Sequence, residues 1–437
     1  MPLLRLIALA LLACSPLAAE IRSLTILHTN DVHAHLLPLN DHTGGFAYLA
    51  SIIRREKANC AECILLNAGD LVQGTPVSTI FHGLPIYEIA ALFGYDAATL
   101  GNHEFDYGWP QARRFIDSAK YPIVTANLVN SRGGLFTPEP FVILTVNKLR
   151  VAVIGAMTED LGNLANPESL GDWRTLPVVE TVRKYAGELS ARADLVVLLG
   201  HINAKEEKQV LETVPQIQVS VTGHLHDGLL EAMSHDGRVL VRVKGYGVEL
   251  GRLELKVDTE TKRLAAWNWK RIPVDSAATE PAADVAAVVS KWEGEVSARV
   301  DRPLAVSKRP FSAHEVKILI EQALREETGA DFAFMNEGSV RDSLPQGQLL
   351  ERHIWNIMPF DNALVMGTFR GRELPPAVLG GRTVEPEREY TLVVSDYTAA
   401  NQSTGENLRS TGLKFPHQIA QVRDLLIDWF RKKKVIE

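Results

Sequence analysis

The sequence predicts a layered α/β architecture divided into two domains. Short apolar runs that end on glycine or a polar side chain alternate with stretches of helical spacing, which is the pattern of strands and helices packed in layers. Hydrophobic residues make up 46% of 437 positions, enough for more than one core. Composition turns alanine-rich over 275–289, where a linker fits, so a first domain at 20–274 and a smaller α/β domain at 301–437 are expected.

Met1 to Ala19 reads as an export signal, with Arg5 as its basic start, Leu6 to Ala13 as the apolar stretch, and Ala18 and Ala19 before Glu20. It is too short to remain as a membrane span, and no transmembrane segment is expected elsewhere. Leu11-Leu12-Ala13-Cys14 also resembles a bacterial lipoprotein box, so a soluble periplasmic or cell-envelope product and one anchored through Cys14 both stay open. The net charge is -7 and no basic patch alternates with aromatics, which argues against a nucleic-acid partner. Oligomeric state has no signature in the chain.

The first strand, Leu24 to His28, opens onto Thr29-Asn30-Asp31-Val32-His33, and Ala47 to Lys57 has helical spacing. Cys60 and Cys63 read as a small-loop disulfide. A redox pair would begin a helix, whereas Cys63 leads into the strand Ile64 to Asn67. That strand runs into Gly69-Asp70. Gly83 to Phe93 reads as a helix, followed by a strand ending at Gly101-Asn102-His103. Pro122 to Ala126 is the next strand, and Phe141 to Val146 and Arg150 to Ile154 form a hairpin turned at Asn147-Lys148. Asp194 to Leu199 ends at Gly200-His201, and Gln218 to Val221 ends at Gly223-His224-Leu225-His226. Arg238 to Lys244, Gly251 to Val257 and Leu264 to Ile272 read as a closing meander, and 275–300 as a linker with a bridging helix. Beyond it the expected elements are a helix at His314 to Thr328, strands near Phe332, Asn362 and Tyr390, and a last helix over His417 to Lys432.

Asp31, His33, Asp70, Asn102, His201, His224 and His226 all lie within a few residues of an apolar strand's end. Strand ends of an α/β sheet converge on one rim, where ligands bind. Any one of these residues is ordinary in a turn. Together they would be a costly cluster of polar groups unless they surround cations. Imidazole, carboxylate and amide donors without thiolate point to zinc, manganese, iron or cobalt. Two divalent ions held by two carboxylates keep a positive surplus, which suits a phosphate dianion.

Asp31-Val32-His33, Gly69-Asp70-Leu71-Val72-Gln73-Gly74, Gly101-Asn102-His103-Glu104-Phe105-Asp106-Tyr107-Gly108, Gly200-His201 and Gly223-His224-Leu225-His226 resemble, in this order, the five motifs of calcineurin-like metallophosphoesterases. The third motif is similar to that of the exported 5'-nucleotidase branch. The resemblance implies a sandwich of two mixed sheets flanked by helices, and two divalent metal ions. It implies that Asp31, His33 and His226 hold one ion, that Asn102, His201 and His224 hold the other, and that Asp70 bridges them. It also implies that His103 faces the phosphate as a catalytic group oriented by Asp106. His28 and His35 are expected in supporting roles.

Met335-Asn336-Glu337-Gly338-Ser339-Val340-Arg341-Asp342, Met358-Pro359-Phe360-Asp361-Asn362 and Ser395-Asp396-Tyr397-Thr398-Ala399 resemble the substrate-binding domain of the same enzymes. The resemblance implies that Asn336, Gly338, Arg341, Phe360, Asn362 and Tyr397 bind a small phosphoester, a nucleotide, with Phe360 and Tyr397 clamping the base. Without the first domain beside them, Phe360 reads as core and Arg341 as a surface ion pair. Two departures stand out: Pro310-Phe311-Ser312-Ala313-His314-Glu315 replaces an Arg and Asn-Leu pattern, and Asn401-Gln402-Ser403-Thr404-Gly405 replaces a glycine-rich loop. Both bear on how tightly a nucleoside is gripped.

Overall fold

A computed structural model describes residues 20–400 and 412–437; residues 1–19, with the expected export signal and Cys14, and the stretch Asn401 to Gly405 lie outside the described residues. Strand Ile21–Thr29 pairs in parallel with Cys63–Asn67, which pairs with the short Ala97–Ala98. On its other side it runs antiparallel to Glu249–Asp258, and Arg263–Pro273 closes this five-stranded sheet. A six-stranded sheet contains Leu195–His201 parallel to both Leu149–Met157 and Val219–Gly223, with Phe141–Val146 at one edge. Both sheets are mixed.

The period of two along each strand assigns its two faces to different layers. Leu24, Ile26, Ile64 and Leu66 of the first sheet meet Val197, Leu199, Val219 and Val221 of the second in a buried inter-sheet core. The alternate residues face outward under helices: Leu27 and Leu65 beneath Phe46, Leu49 and Ile53, and Val196 and Leu198 beneath Val182 and Ala186. The result is a four-layer sandwich of helix, sheet, sheet and helix.

Several elements differ from the sequence reading. Of the three strands read as a meander, Arg238–Val241 runs parallel to Val219–Gly223 in the second sheet, and Glu249–Asp258 and Arg263–Pro273 pair with each other as a hairpin in the first. The stretch 83–93 is helical only over Leu84–Ala90, after a separate helix Pro76–Phe81, with Gly83 in a left-handed turn between them. Residues 122–126 contribute isolated bridges, such as Ala98 to Ile123. His417–Gln421 is a strand on Ala363–Arg370, and only Val422–Lys433 is helical. Local pattern loses there to pairing with an open sheet edge. Cys60 and Cys63 are joined as a disulfide.

Helix Ala283–Val300 lays Val285, Val289 and Val296 on the helical layer of the first sheet. Arg352 then ties this helix to the C-terminal part, donating to Asp301 at 2.6 and 3.0 Å, to Glu293 at 2.8 Å and to Ser297 at 2.9 Å. Helices Ala313–Thr328 and Val422–Lys433 pack on each other in a second core. Thr79 donates to the Pro359 carbonyl at 2.7 Å, which brings the loop carrying Phe360 against helix Pro76–Phe81.

Candidate functional site

The parallel strands of both sheets end on one rim, and the loops leaving them zip together. The backbone N–H groups of Asp31, His33 and Ala34 donate to the carbonyls of Gly69, Asp70 and Leu71 at 3.0, 3.1 and 2.9 Å. Asp31, His33, Asp70, His224 and His226 all take left-handed backbone conformations, with φ of 50, 45, 54, 86 and 58°. Residues other than glycine rarely adopt that region, and its strain is held at functional sites by surrounding structure. The loops also pack closely: a Cβ at Gly101 would lie 2.0 Å from Asp70 Oδ1, and one at Gly223 would lie 2.7 Å from the Ala68 carbonyl oxygen.

The donors converge in a buried cluster. Asp31, His33, Asp70 and His226 each offer a ligand atom within 4.8 Å of the others. Asp31 accepts from the His224 backbone N–H at 2.9 Å and from Asn30 at 2.6 Å. Beside them, His201 Nε2 lies 3.2 Å from Asp70 Oδ2 and 3.1 Å from Asn102 Oδ1. The His224 ring stands 5.0 Å from that of His201. Thus all seven ligand-type residues singled out in the sequence lie around one point of the rim.

The chemistry of this donor set fits divalent cations. His201 Nδ1 is 2.8 Å from the Ala68 carbonyl, which can only accept, so Nδ1 carries the hydrogen and Nε2 turns its lone pair on two oxygen acceptors. Only a proton or a metal ion there makes the contact attractive. Burial opposes a charged His201, but Asp70 and Asp31 outweigh it and push its pKa up to about 10. His33 Nε2 and His226 Nε2 face each other at 2.9 Å, and His33 Nδ1 has no hydrogen-bond partner among the described residues. Burial drives His224 and His226 down to about 3 and His33 well below its usual value, so these rings present neutral lone pairs. Burial pushes Asp31 up to about 6. It acts in the same sense on Asp70, where His201 and His103 prevail and hold the carboxyl well below the carboxylate range. A cation satisfies these lone pairs together, which one shared proton cannot.

His103 faces the same rim from a short turn. Its backbone N–H donates to Asp70 Oδ1 at 3.0 Å, and its Nδ1 donates to Asp106 Oδ2 at 2.8 Å. Burial lowers its pKa, but Asp106 and Asp70 overcome this and raise it. His35 accepts no ligand role here: its Nδ1 meets the His33 carbonyl at 2.9 Å. His28 is buried in the sheet layer, stacked on Trp269 at 5.4 Å.

A cavity of about 300 Å³ opens over the cluster and is bounded by both parts of the chain. Asp70, Asn102, His103, Asp106, His224 and His226 line one wall, and Asn336, Gly338, Arg341, Phe360, Asn362 and Tyr397 line the other. Asp31, His33 and His201 lie buried beneath. Arg341 takes part in no ion pair among the described residues, and its Nε and Nη2 lack hydrogen-bond partners there, although Nη1 meets the Gly338 carbonyl at 3.5 Å. Phe360 stands 6.1 Å from the His103 ring, on a loop whose Met358 and Phe360 carbonyls accept from Arg423 at 3.2 and 3.0 Å. Asn336 is buried and accepts from Ser339 and Thr398, which couples its loop to the helix carrying Tyr397.

Three features escaped the sequence reading. Glu104, buried directly after His103, accepts from the backbone N–H groups of Asp70 at 3.1 Å, Leu71 at 2.9 Å and Gly101 at 2.5 Å. It locks two ligand loops together, and burial with Asp70 nearby pushes its pKa up to about 7. The segment Leu164 to Ser169 supplies a further part of the cavity wall, and Gln73 lines it too. Only the position of Glu104 and Gln73 inside motifs hinted at their places.

Residues 24–228 match the calcineurin-like phosphoesterase family, and residues 293–379 match the 5'-nucleotidase C-terminal domain. The chain is 24% identical to protein UshA of Escherichia coli over 84% of this chain and 79% of that protein. It is 25% identical to endonuclease YhcR of Bacillus subtilis over 92% of this chain, and spans only 39% of that longer protein. The fold is that of a 5'-nucleotidase precursor structure from Thermus thermophilus, with a TM-score of 0.85 at 23% identity over 95% of this chain and 97% of that one.

Proposed function

We propose that this chain, a metal-dependent phosphoric ester hydrolase built from a calcineurin-like phosphoesterase domain and a 5'-nucleotidase C-terminal domain, hydrolyses nucleoside 5'-monophosphates to nucleoside and phosphate. The observation that carries the reading is the shared cavity, with a carboxylate and imidazole cluster on one wall and, on the other, Arg341 beside Phe360 with no carboxylate partner among the described residues. A dianion and a flat base are what two such walls would take.

In this reading Asp31, His33 and His226 would hold one divalent ion, Asn102, His201 and His224 would hold a second, and the Asp70 carboxylate between the two sets would serve both. Such ions would draw charge from the phosphoryl oxygens and lower the pKa of water. Asp106 fixes the His103 ring through Nδ1, leaving Nε2 to face the ester. As water adds to phosphorus and the bond to the 5'-oxygen breaks, protonated His103 gives that oxygen its proton, and the proton released from the attacking water restores His103 as phosphate departs. Arg341 neutralises the dianion, Phe360 and Tyr397 hold the base, and Asn336, Gly338 and Asn362 shape their loops. Residues 20–274 form the catalytic domain, 275–300 the linker and 301–437 the nucleotide-binding domain. The protein is exported through residues 1–19; no helix among the described residues is long and apolar enough to cross a membrane.

Phosphate release from AMP, UMP, cyclic nucleotides and nucleotide sugars, with and without chelator, tests the proposal. Chelator-sensitive release from AMP or UMP supports it. Turnover of another ester alone would replace it with the second reading, a relative acting on cyclic nucleotides or nucleotide sugars, which the altered sequences at 310–315 and 401–405 favour. Metal uptake without hydrolysis of any ester would leave a nucleotide-binding protein.

A further inference from the structure

The loop that carries Asp70 ends on a side chain that the reaction above does not use. Gln73 is 1% exposed, its amide nitrogen and amide oxygen both lack hydrogen-bond partners among the described residues, and it lines the cavity. A buried primary amide with neither end paired is costly, and native proteins keep one only where something else completes it. Its main chain is fixed on both sides. The Gln73 N–H donates to Ser78 Oγ at 2.8 Å, and a Cβ at the following Gly74 would lie 2.6 Å from the His33 carbonyl oxygen. Gly74 therefore packs against the His33 main chain, which holds the neighbouring Gln73 in the cavity wall shared with Asp70, His103 and His226, with only its amide left uncommitted.

Arg341 reaches the same cavity from the other domain with two guanidinium nitrogens unpaired. An amide N–H and a guanidinium, both waiting for acceptors and held on opposite walls, call for a ligand rich in oxygen acceptors. A phosphoryl group has three non-bridging oxygens and can pair with both. We propose that Gln73 is a substrate-contacting residue whose Nε2–H donates to a non-bridging phosphoryl oxygen, on the catalytic-domain side of the group that Arg341 meets from the C-terminal domain. The amide oxygen then accepts an O–H from water admitted with the substrate. The inference rests on the reading of this site as a phosphoester site, but not on the nucleoside.

The test uses the full-length, metal-loaded protein, with inorganic phosphate as the probe. Phosphate affinity is read by calorimetry and by phosphate inhibition of p-nitrophenyl phosphate hydrolysis, alongside metal content and melting temperature. Gln73→Met keeps length and removes the donor; it should weaken phosphate binding about tenfold. Gln73→Glu keeps shape and sets a carboxylate against the dianion; it should weaken binding further, to about a hundredfold. Metal content should not change in either. Phosphate affinity within about twofold of the parent in both variants would overturn the contact. So would an affinity loss matched by a loss of metal, which would mean that Gln73 only braces the ligand loop. An unchanged phosphate affinity with weakened adenosine inhibition would move the contact to the sugar and overturn it equally. Because neither phosphate nor p-nitrophenyl phosphate contains a nucleoside, a protein that shows the phosphate effect but ignores AMP and UMP would refute the nucleotide reading and keep this one.

Discussion

The two walls of the cavity satisfy their polar groups in opposite ways. On the catalytic side the reacting groups and the loops that carry them are held before a ligand arrives: Asp106 fixes His103, Glu104 binds the Asp70 and Gly101 loops, and Asp31 is gripped by Asn30 and the His224 backbone, while the Gln73 amide and His33 Nδ1 are left without partners among the described residues. On the C-terminal side the fixed element is the backbone, through Arg423 and Asn336, while Arg341 lines the cavity with Nε and Nη2 lacking partners among the described residues. The first wall is preorganised and strained, and the second is completed by what binds. A rigid cluster suits chemistry that needs charge in fixed positions, and an unpaired cation on a separate domain suits selection of a ligand.

That contrast can be broken first at its rigid end. Asp70→Asn should lower kcat by about a thousandfold or more and reduce bound metal, read by phosphate release and elemental analysis, since the carboxylate faces both halves of the donor set. His103→Ala should cost about a hundredfold to ten-thousandfold in kcat with metal content unchanged. Loss of metal in that variant would mean that His103 is itself a ligand and that the division of the wall is wrong. At the selecting wall, Arg341→Ala should raise KM about tenfold to a hundredfold while leaving metal content and melting temperature alone. A fall in kcat with no change in KM would place that guanidinium among the fixed groups. The smallest effect is expected between the walls: Thr79→Ala removes one hydrogen bond to the Pro359 carbonyl and should cost about 1 kcal/mol in denaturant unfolding.

Legibility followed the same division. The alternation of apolar strands and helices made the layered α/β class readable, because burial on both sheet faces leaves continuous runs such as Leu195 to Leu199. Edges were harder to read. His417–Gln421 looked helical until Ala363–Arg370 offered it a partner, and Arg238–Val241 joined the second sheet, not its sequence neighbours. Ligand-type residues after strand ends were visible as types in an order, and so were the motif glycines next to them.

The sequence alone determined which donor atoms this protein owns, where along the chain each follows a strand, and that no thiolate is among the cluster, because these are properties of residue identity and of local hydrophobic period. Only the tertiary structure decided that Asp31, His33, Asp70, His224 and His226 turn through left-handed backbone to meet, that Glu104 holds two loops at once, and that Gln73 and Arg341 stand unpaired across one cavity. Those facts depend on contacts between segments far apart in the chain, and a contact of that kind leaves no period in a single sequence to be read.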